Sequence, residues 1–352
     1  MANKRVVVIG GGPAGHDAAT YAARFGAEVT LIERDIVGGA AHLRDCVPSK
    51  SMIATGGALS FARRLDGMGL ANVETGVDAE HLRARIQGIE QRLEQSVTQL
   101  LTSQGVTIHR GTGRLLGPNE VCVDTPNGVV ELTADAIVLA TGSRPRIPEW
   151  APIDHERVLT TRDAYPPEQI PEHLVVVGSG VTGVEFVHMF ASLGSEVTLI
   201  VSRQQVLPQK DPEAAALLEH NFLDRGVQLL KGARATEILR KGQSVTVHCS
   251  DGRIAQGSHA LLAIGSDPNS QELGLENTDI AIDSDGYIQV DHNLRSSVPT
   301  IYAAGDLSGK LPLSSVAAMQ GRKIAEHIMG LHEGREHRHL DYDKAASAIF
   351  TE

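Results

Sequence analysis

Two stretches of the chain carry the same order of apolar and polar positions, 168 residues apart. In the first, the apolar run Val6-Val7-Val8-Ile9 ends at Gly10-Gly11-Gly12-Pro13-Ala14-Gly15, and after a helix-length interval comes Gly26-Ala27-Glu28-Val29-Thr30-Leu31-Ile32. In the second, Val175-Val176-Val177 ends at Gly178-Ser179-Gly180-Val181-Thr182-Gly183, followed by Gly194-Ser195-Glu196-Val197-Thr198-Leu199-Ile200. A short continuous apolar run bounded by glycines suits a strand buried on both faces. Each copy therefore predicts a strand, a tight Gly-x-Gly-x-x-Gly turn, a helix and a second strand.

That order of elements is the start of a dinucleotide-binding βαβ unit. Its first glycine permits the turn, its second lets a pyrophosphate approach the backbone, and its third lets the helix pack on the strand. The helix N-terminus then offers unpaired N–H groups and positive potential to the phosphates. One such turn is weak evidence. Two at a single offset predict two bound dinucleotides.

Apolar positions Leu82, Ile86, Ile89, Leu93, Val97 and Leu100 predict a helix over Asp78–Gln104. Strands are expected around Val106–His109, Val121–Asp124 and Val129–Leu132, with Pro126-Asn127-Gly128 as a turn. Ile137-Val138-Leu139 leads into Ala140-Thr141-Gly142, and Leu261–Ile264 into Gly265. Thr300–Ala304 delivers Gly305 and Asp306, with a helix from about Ser315. The polar, Pro-rich stretch Trp150–Pro171 reads as a crossing between domains. The predicted class is α/β with two Rossmann-like domains.

Net charge of −11 argues against a nucleic-acid partner. No apolar run is long enough to span a bilayer, and Met1-Ala-Asn-Lys-Arg enters a strand and not a signal-peptide core. Cys46, Cys122 and Cys249 are far apart and lack metal-ligand spacing, so no metal is expected. Cys122 and Cys249 read as small strand residues, and the pattern fits a reducing cytoplasm.

The second strands end differently. Glu33, 23 residues after Gly10, can accept hydrogen bonds from an adenosine ribose. Val201 stands at the same spacing after Gly178, followed by Ser202 and Arg203. Arg203 suits either a 2′-phosphate or plain solvent. The second cofactor is written NAD(P)H, leaning to NADPH or to both.

Residues 38–50 read Gly-Gly-Ala-Ala-His-Leu-Arg-Asp-Cys-Val-Pro-Ser-Lys. With the two glycine turns, Ala140-Thr141-Gly142 and Gly305-Asp306, this loop resembles the pyridine nucleotide-disulfide oxidoreductases. The likeness is to the dihydrolipoamide dehydrogenase and glutathione reductase branch, closest to the NAD(P)H:quinone reductases that also lack the first redox cysteine. The resemblance implies FAD at the first turn and NAD(P)H at the second. It implies an FAD domain over 1–150, an NAD(P)H domain over 151–275, a return segment over 276–338 and the start of an interface domain over 339–352.

For FAD it implies contacts from Gly10, Gly12, Pro13, Ala14 and Gly15, from Glu33 and Arg34 at the adenosine, and from Gly39, Ala40 and the Thr112-Gly113 turn. Thr141, Gly142, Gly305, Asp306, Leu313 and Ser314 complete that set, Asp306 on the ribityl chain and Ser314 near the pyrimidine edge. The helix after Ser314 would aim its N-terminus at flavin N1 and O2. For the nicotinamide cofactor it implies Gly178, Gly180, Val181, Thr182, Gly183, Glu185, Val201, Ser202, Arg203 and Gly265. Lys50 and Glu185 are expected to pair beside flavin N5, a buried lysine needing such a partner.

There are four departures from the family pattern. Ala41 replaces the first redox cysteine, leaving Cys46 as a flavin-adjacent thiol or a packed relic; His42 beside it is a proton donor or an ordinary loop histidine. Val181 replaces an aromatic gate, and Ser266 an arginine. The chain stops at Phe350-Thr351-Glu352, where relatives begin the interface domain that builds a homodimer. A fragment is expected, with Ala345–Phe350 as the first strand of a missing sheet. The reading is an FAD-dependent NAD(P)H oxidoreductase that passes electrons to a small acceptor, a quinone being expected, without a disulfide. Its rivals are a dihydrolipoamide dehydrogenase, a transhydrogenase and a flavin-binding module without turnover.

Overall fold

The structure is a computed structural model and describes residues 3–65, 68, 76–165, 167–331 and 340–351. Its α-helices are α1 (Pro13–Arg24), α2 (Val47–Arg64), α3 (Ala79–Ser103), α4 (Val181–Leu193), α5 (Pro212–Asp224) and α6 (Ser314–Ile328). By packing, the chain divides into one unit of residues 1–44, 90–144 and 267–347, and another of 45–89, 145–266 and 348–352. The expected boundary at 338/339 lies outside the described residues.

The first unit holds a parallel sheet in the order Ile301–Ala303, Ala136–Leu139, Arg5–Ile9, Glu28–Glu33, Thr107–Arg110. Side chains alternate along the Arg5–Ile9 strand. Val6 and Val8 pack on Ala18 and Ala22 of α1 and on Ile324 and Ile328 of α6. Val7 and Ile9 pack the other way, against Leu115, Val121 and Val123 of an antiparallel three-stranded sheet. Both faces being covered, no position tolerates a polar side chain, which is why the run is uninterrupted in sequence.

The second unit repeats the plan with the order Gln228–Lys231, Glu196–Val201, His173–Val177, His259–Leu262, Val158–Thr160. Leu174 and Val176 face Phe186, Val187 and Phe190 of α4, with Met52 and Leu59 of α2 and Leu82 and Ile86 of α3. Val175 and Val177 face Ile238, Val245 and Val247 of another antiparallel sheet. Helix α2 lies so close to α4 that a Cβ on Gly56 would stand 2.8 Å from the Ser192 Cβ. The described residues of 45–89 therefore pack with this unit.

Three expectations change. Within Trp150–Pro171, Val158–Thr160 is the edge strand of the second sheet, paired to Ala260–Leu262. Three residues are too few to show a period among prolines. Thr112 and Gly113 begin a strand, Thr112–Gly117, and form no turn. Ala345–Phe350 is in no strand; Ile349 instead packs on the second unit's core. Cys122 and Cys249 are buried strand residues, and all three cysteines are free thiols.

Candidate nucleotide sites and the Lys50–Glu185 pair

The two glycine turns are built alike. Gly10 and Gly178 take φ of 104° and 110°, where an L side chain is strained. A Cβ on Gly15 would collide with the Gly10 carbonyl oxygen, and one on Gly183 with that of Gly178. Helices α1 and α4 start after Gly12 and Gly180, neither of which caps with a side chain. Backbone N–H groups of the first turn are thus left for an anion.

Around the first turn, Glu33 is buried and uses both carboxylate oxygens on backbone. Oε2 accepts from Gly11 N at 2.7 Å and Oε1 from Asp35 N at 2.7 Å. Gly38 N donates to Gly11 O at 2.9 Å, and a Cβ on Gly39 would strike Gly12 Cα. Arg34 is exposed, 3.9 Å from Glu272. Thr141 and Gly142 are stapled to Asn269 by three bonds, Asn269 N to Gly142 O, Thr141 Oγ1 to Asn269 O and Asn269 Nδ2 to Thr141 O, each 2.9 Å. Asp306 Oδ2 accepts from Ser143 Oγ at 2.6 Å, and Gly305 N donates to Gln320 at 2.7 Å. Helix α6 begins at Ser314 after an uncapped Leu313. These residues leave a cradle that added Cβ atoms would fill, as a dinucleotide pyrophosphate requires.

The second turn is open. Nothing lies within 4 Å of a Cβ on Gly180, and Val181 and Thr182 are exposed. Val201 is buried at the strand end, while Ser202 and Arg203 are exposed. Gly265 has a φ of 100° and open space around it.

Lys50 and Glu185 do pair: Nζ lies 2.9 Å from Oε2. The buried member is the carboxylate, its side chain 6% exposed against 38% for Lys50, the reverse of the expected buried lysine. Glu185 Oε1 accepts from Phe350 N at 3.0 Å, and Lys50 Nζ stands 4.9 Å from the centre of the Phe350 ring. The buried carboxylate thus has a partner on each oxygen, the condition for keeping its charge away from water. The last turn before α2, Ala41–Cys46, is a π-helix, so the loop expected there is helical. Burial, helped by His16, pushes the His42 pKa below its usual value. Among the described residues no cluster of three or more His, Cys, Asp or Glu side chains is placed to hold a metal, and no helix is long and apolar enough to cross a membrane.

A family model for pyridine nucleotide-disulphide oxidoreductases matches residues 4–321. The chain belongs to that family. It is an FAD-dependent NAD(P)H oxidoreductase by that membership. It is 43% identical over 338 residues to an NAD(P)H dehydrogenase (quinone) of Mycobacterium tuberculosis, covering 93% of this chain and 69% of that one. It is 33% identical over 345 residues to a dihydrolipoyl dehydrogenase of Chlamydia pneumoniae, covering 98% and 73%. The crystal structure of LpdA from M. tuberculosis superposes with a TM-score of 0.92 at 41% identity, over 99% of this chain and 76% of that one.

Two residues at the family pair were not foreseen from sequence. Phe350 lies in the segment expected to be a strand, a reading that gave no sign of its contact with the pair. Tyr165 sits among prolines, yet its ring stacks on Phe186 with centroids 4.6 Å apart. Burial, reinforced by Asp45, Glu185 and Cys46, holds its phenol pKa well above the usual value.

Proposed function

We propose that the protein oxidises NAD(P)H and reduces a quinone-like acceptor by direct transfer, without a dithiol relay. The net reaction is NAD(P)H plus a proton plus quinone giving NAD(P)⁺ and hydroquinone. The observation that carries it is the combination of an intact Lys50–Glu185 pair with Ala41 where the relay needs a cysteine. The quinone reductase name of a 43% identical relative points the same way.

The first unit's cradle would hold FAD through Gly10, Gly12, Pro13, Ala14, Gly15, Glu33, Gly39, Thr141, Gly142, Gly305 and Asp306. A bound flavin would supply the two-electron chemistry that no side chain offers. Gly178, Gly180, Thr182, Gly183, Ser202 and Arg203 would bind the nicotinamide cofactor. Lys50 and Glu185 would hold fixed charges where the hydride is delivered, a preorganised arrangement of the usual catalytic kind. A soluble enzyme of the cytoplasm fits three free thiols.

The test uses flavin-bound protein with NADPH and offers quinone, lipoamide and NAD as acceptors. Quinone should be reduced fastest, and Cys46→Ser should keep that rate within about threefold. Faster lipoamide turnover, lost in Cys46→Ser, would overturn direct transfer.

A further inference from the structure

After the strand Val158–Thr160 the chain makes a 3-10 turn, Thr161–Ala164, and then packs the half-buried Tyr165 against the second unit's core. Nothing in the nucleotide chemistry described above uses this residue. Its two ends, however, reach the immediate neighbours of both members of the ion pair. The ring stacks on Phe186, next to Glu185, at an interplanar angle of 19°. The hydroxyl hydrogen-bonds Ser49, next to Lys50.

The direction of that bond follows from Ser49. The Ser49 Oγ donates to Cys46 O at 3.0 Å, so its one proton is spent and the phenol must donate to it. Ser49 is 2% exposed, and water cannot replace the tyrosine. A relay Tyr165 to Ser49 to the Cys46 carbonyl therefore fixes the first turn of α2, the turn that carries Lys50. Arg162 on the same 3-10 turn lies 3.7 Å from Asp45, one residue before Cys46. The segment 162–165 thus straps the start of α2 while its aromatic ring braces α4.

We propose that Tyr165 is a positioning residue, whose ring and hydroxyl together set the distance between Lys50 and Glu185. This rests on the reading that the pair serves hydride transfer. Removing the hydroxyl leaves Ser49 with an unmet acceptor and frees the turn without disturbing the stack.

The experiment uses flavin-bound protein and stopped-flow mixing with NADPH. Tyr165→Phe should lower the limiting rate of flavin bleaching about tenfold while the Kd for NADPH stays within about twofold. Alkylation of Cys46 by iodoacetamide, followed by mass spectrometry, should quicken severalfold in the same variant, since the turn to which Ser49 ties its carbonyl is freed. Ser49→Ala should reproduce both effects, and the double variant should add nothing further, as residues of one network do. A wild-type rate in Tyr165→Phe with a slow Tyr165→Leu would reduce the residue to packing and overturn the proposal, as would strictly additive effects of Tyr165→Phe and Ser49→Ala. Lys50→Met and Glu185→Gln separate the two readings. If neither slows bleaching, the role of the pair falls and this proposal with it; if both do and Tyr165→Phe does not, only the proposal falls.

Discussion

The two glycine turns obey one steric rule and end in opposite surroundings. Gly10 with Gly15, and Gly178 with Gly183, make the same crowded crossing of strand, turn and helix. Over the first turn, however, the chain folds back: Gly39 rests on Gly12, Gly38 bonds Gly11, and Glu33 closes the turn from below. The second turn has its own backbone bond, Leu207 N to Ser179 O at 2.8 Å, but a Cβ on Gly180 would have nothing within 4 Å, and Val181 and Thr182 face solvent. One motif can thus make a closed site for a resident cofactor or an open one for a cofactor that must leave each cycle. What covers the turn decides which, and the motif itself does not.

The largest effects should come from glycines that the cover, or the crossing, forbids to change. Gly15→Ala and Gly183→Ala each force a methyl into a carbonyl oxygen, and each should cost on the order of 3–5 kcal/mol of stability. The comparison is sharper at the second glycine of each turn's surroundings. Gly39→Ala, at φ 84° and against Gly12, should yield protein with little flavin, read from absorbance per chain. Gly180→Ala should keep its flavin and its thermal midpoint. Equal flavin loss in both variants would break the distinction between closed and open turns.

Next in size are the charges. Glu185→Gln keeps the shape but removes the charge that Lys50 faces, and should slow flavin bleaching by NADPH about a hundredfold or more. Its flavin content should not change, because the residue belongs to the open turn's helix. Loss of flavin instead would place Glu185 with the resident cofactor.

The parts legible in sequence were those with a local cause. An uninterrupted apolar strand and a glycine turn follow from sterics within a dozen residues, and both copies could be read. The Lys50–Glu185 contact, at 135 residues' separation, was reachable only through the family resemblance. Spacing alone would have left Lys50 on a surface. Tyr165, Phe350 and Asn269 were given no role at a site, because each acts through contacts with segments distant in sequence. The short strand Val158–Thr160 is likewise held by its neighbour's hydrogen bonds and not by any pattern of its own.

Cofactor choice offers a smaller test of the open turn. Val201→Glu restores the acidic residue that Glu33 supplies to the first site, and should turn preference from NADPH toward NADH. Arg203→Ala should weaken NADPH about tenfold in kcat/KM and leave NADH within about twofold, the loss of one charge-assisted phosphate contact. Equal losses for both cofactors would make Arg203 a surface residue without a role in selection.

The smallest difference concerns acid. In the central pairing of the two parallel sheets, Val6 stands against Ala136 in one and Leu174 against His259 in the other. Burial, with Arg157 beside it, lowers the His259 pKa to about 4, although Asp154 and Glu156 pull the other way. Folded protein therefore holds this imidazole neutral at a pH where the unfolded chain, near 6.5, takes up a proton. Stability from this residue is complete above pH 6.5 and declines as pH falls toward 4. The decline should amount to about 1–2 kcal/mol once solvent screening is allowed for. Measured as a thermal midpoint against pH, it should flatten in His259→Ala, which gives the second sheet the residue that the first already has. An unchanged slope in that variant would assign the acid sensitivity to other groups, and remove this last contrast between the two sheets.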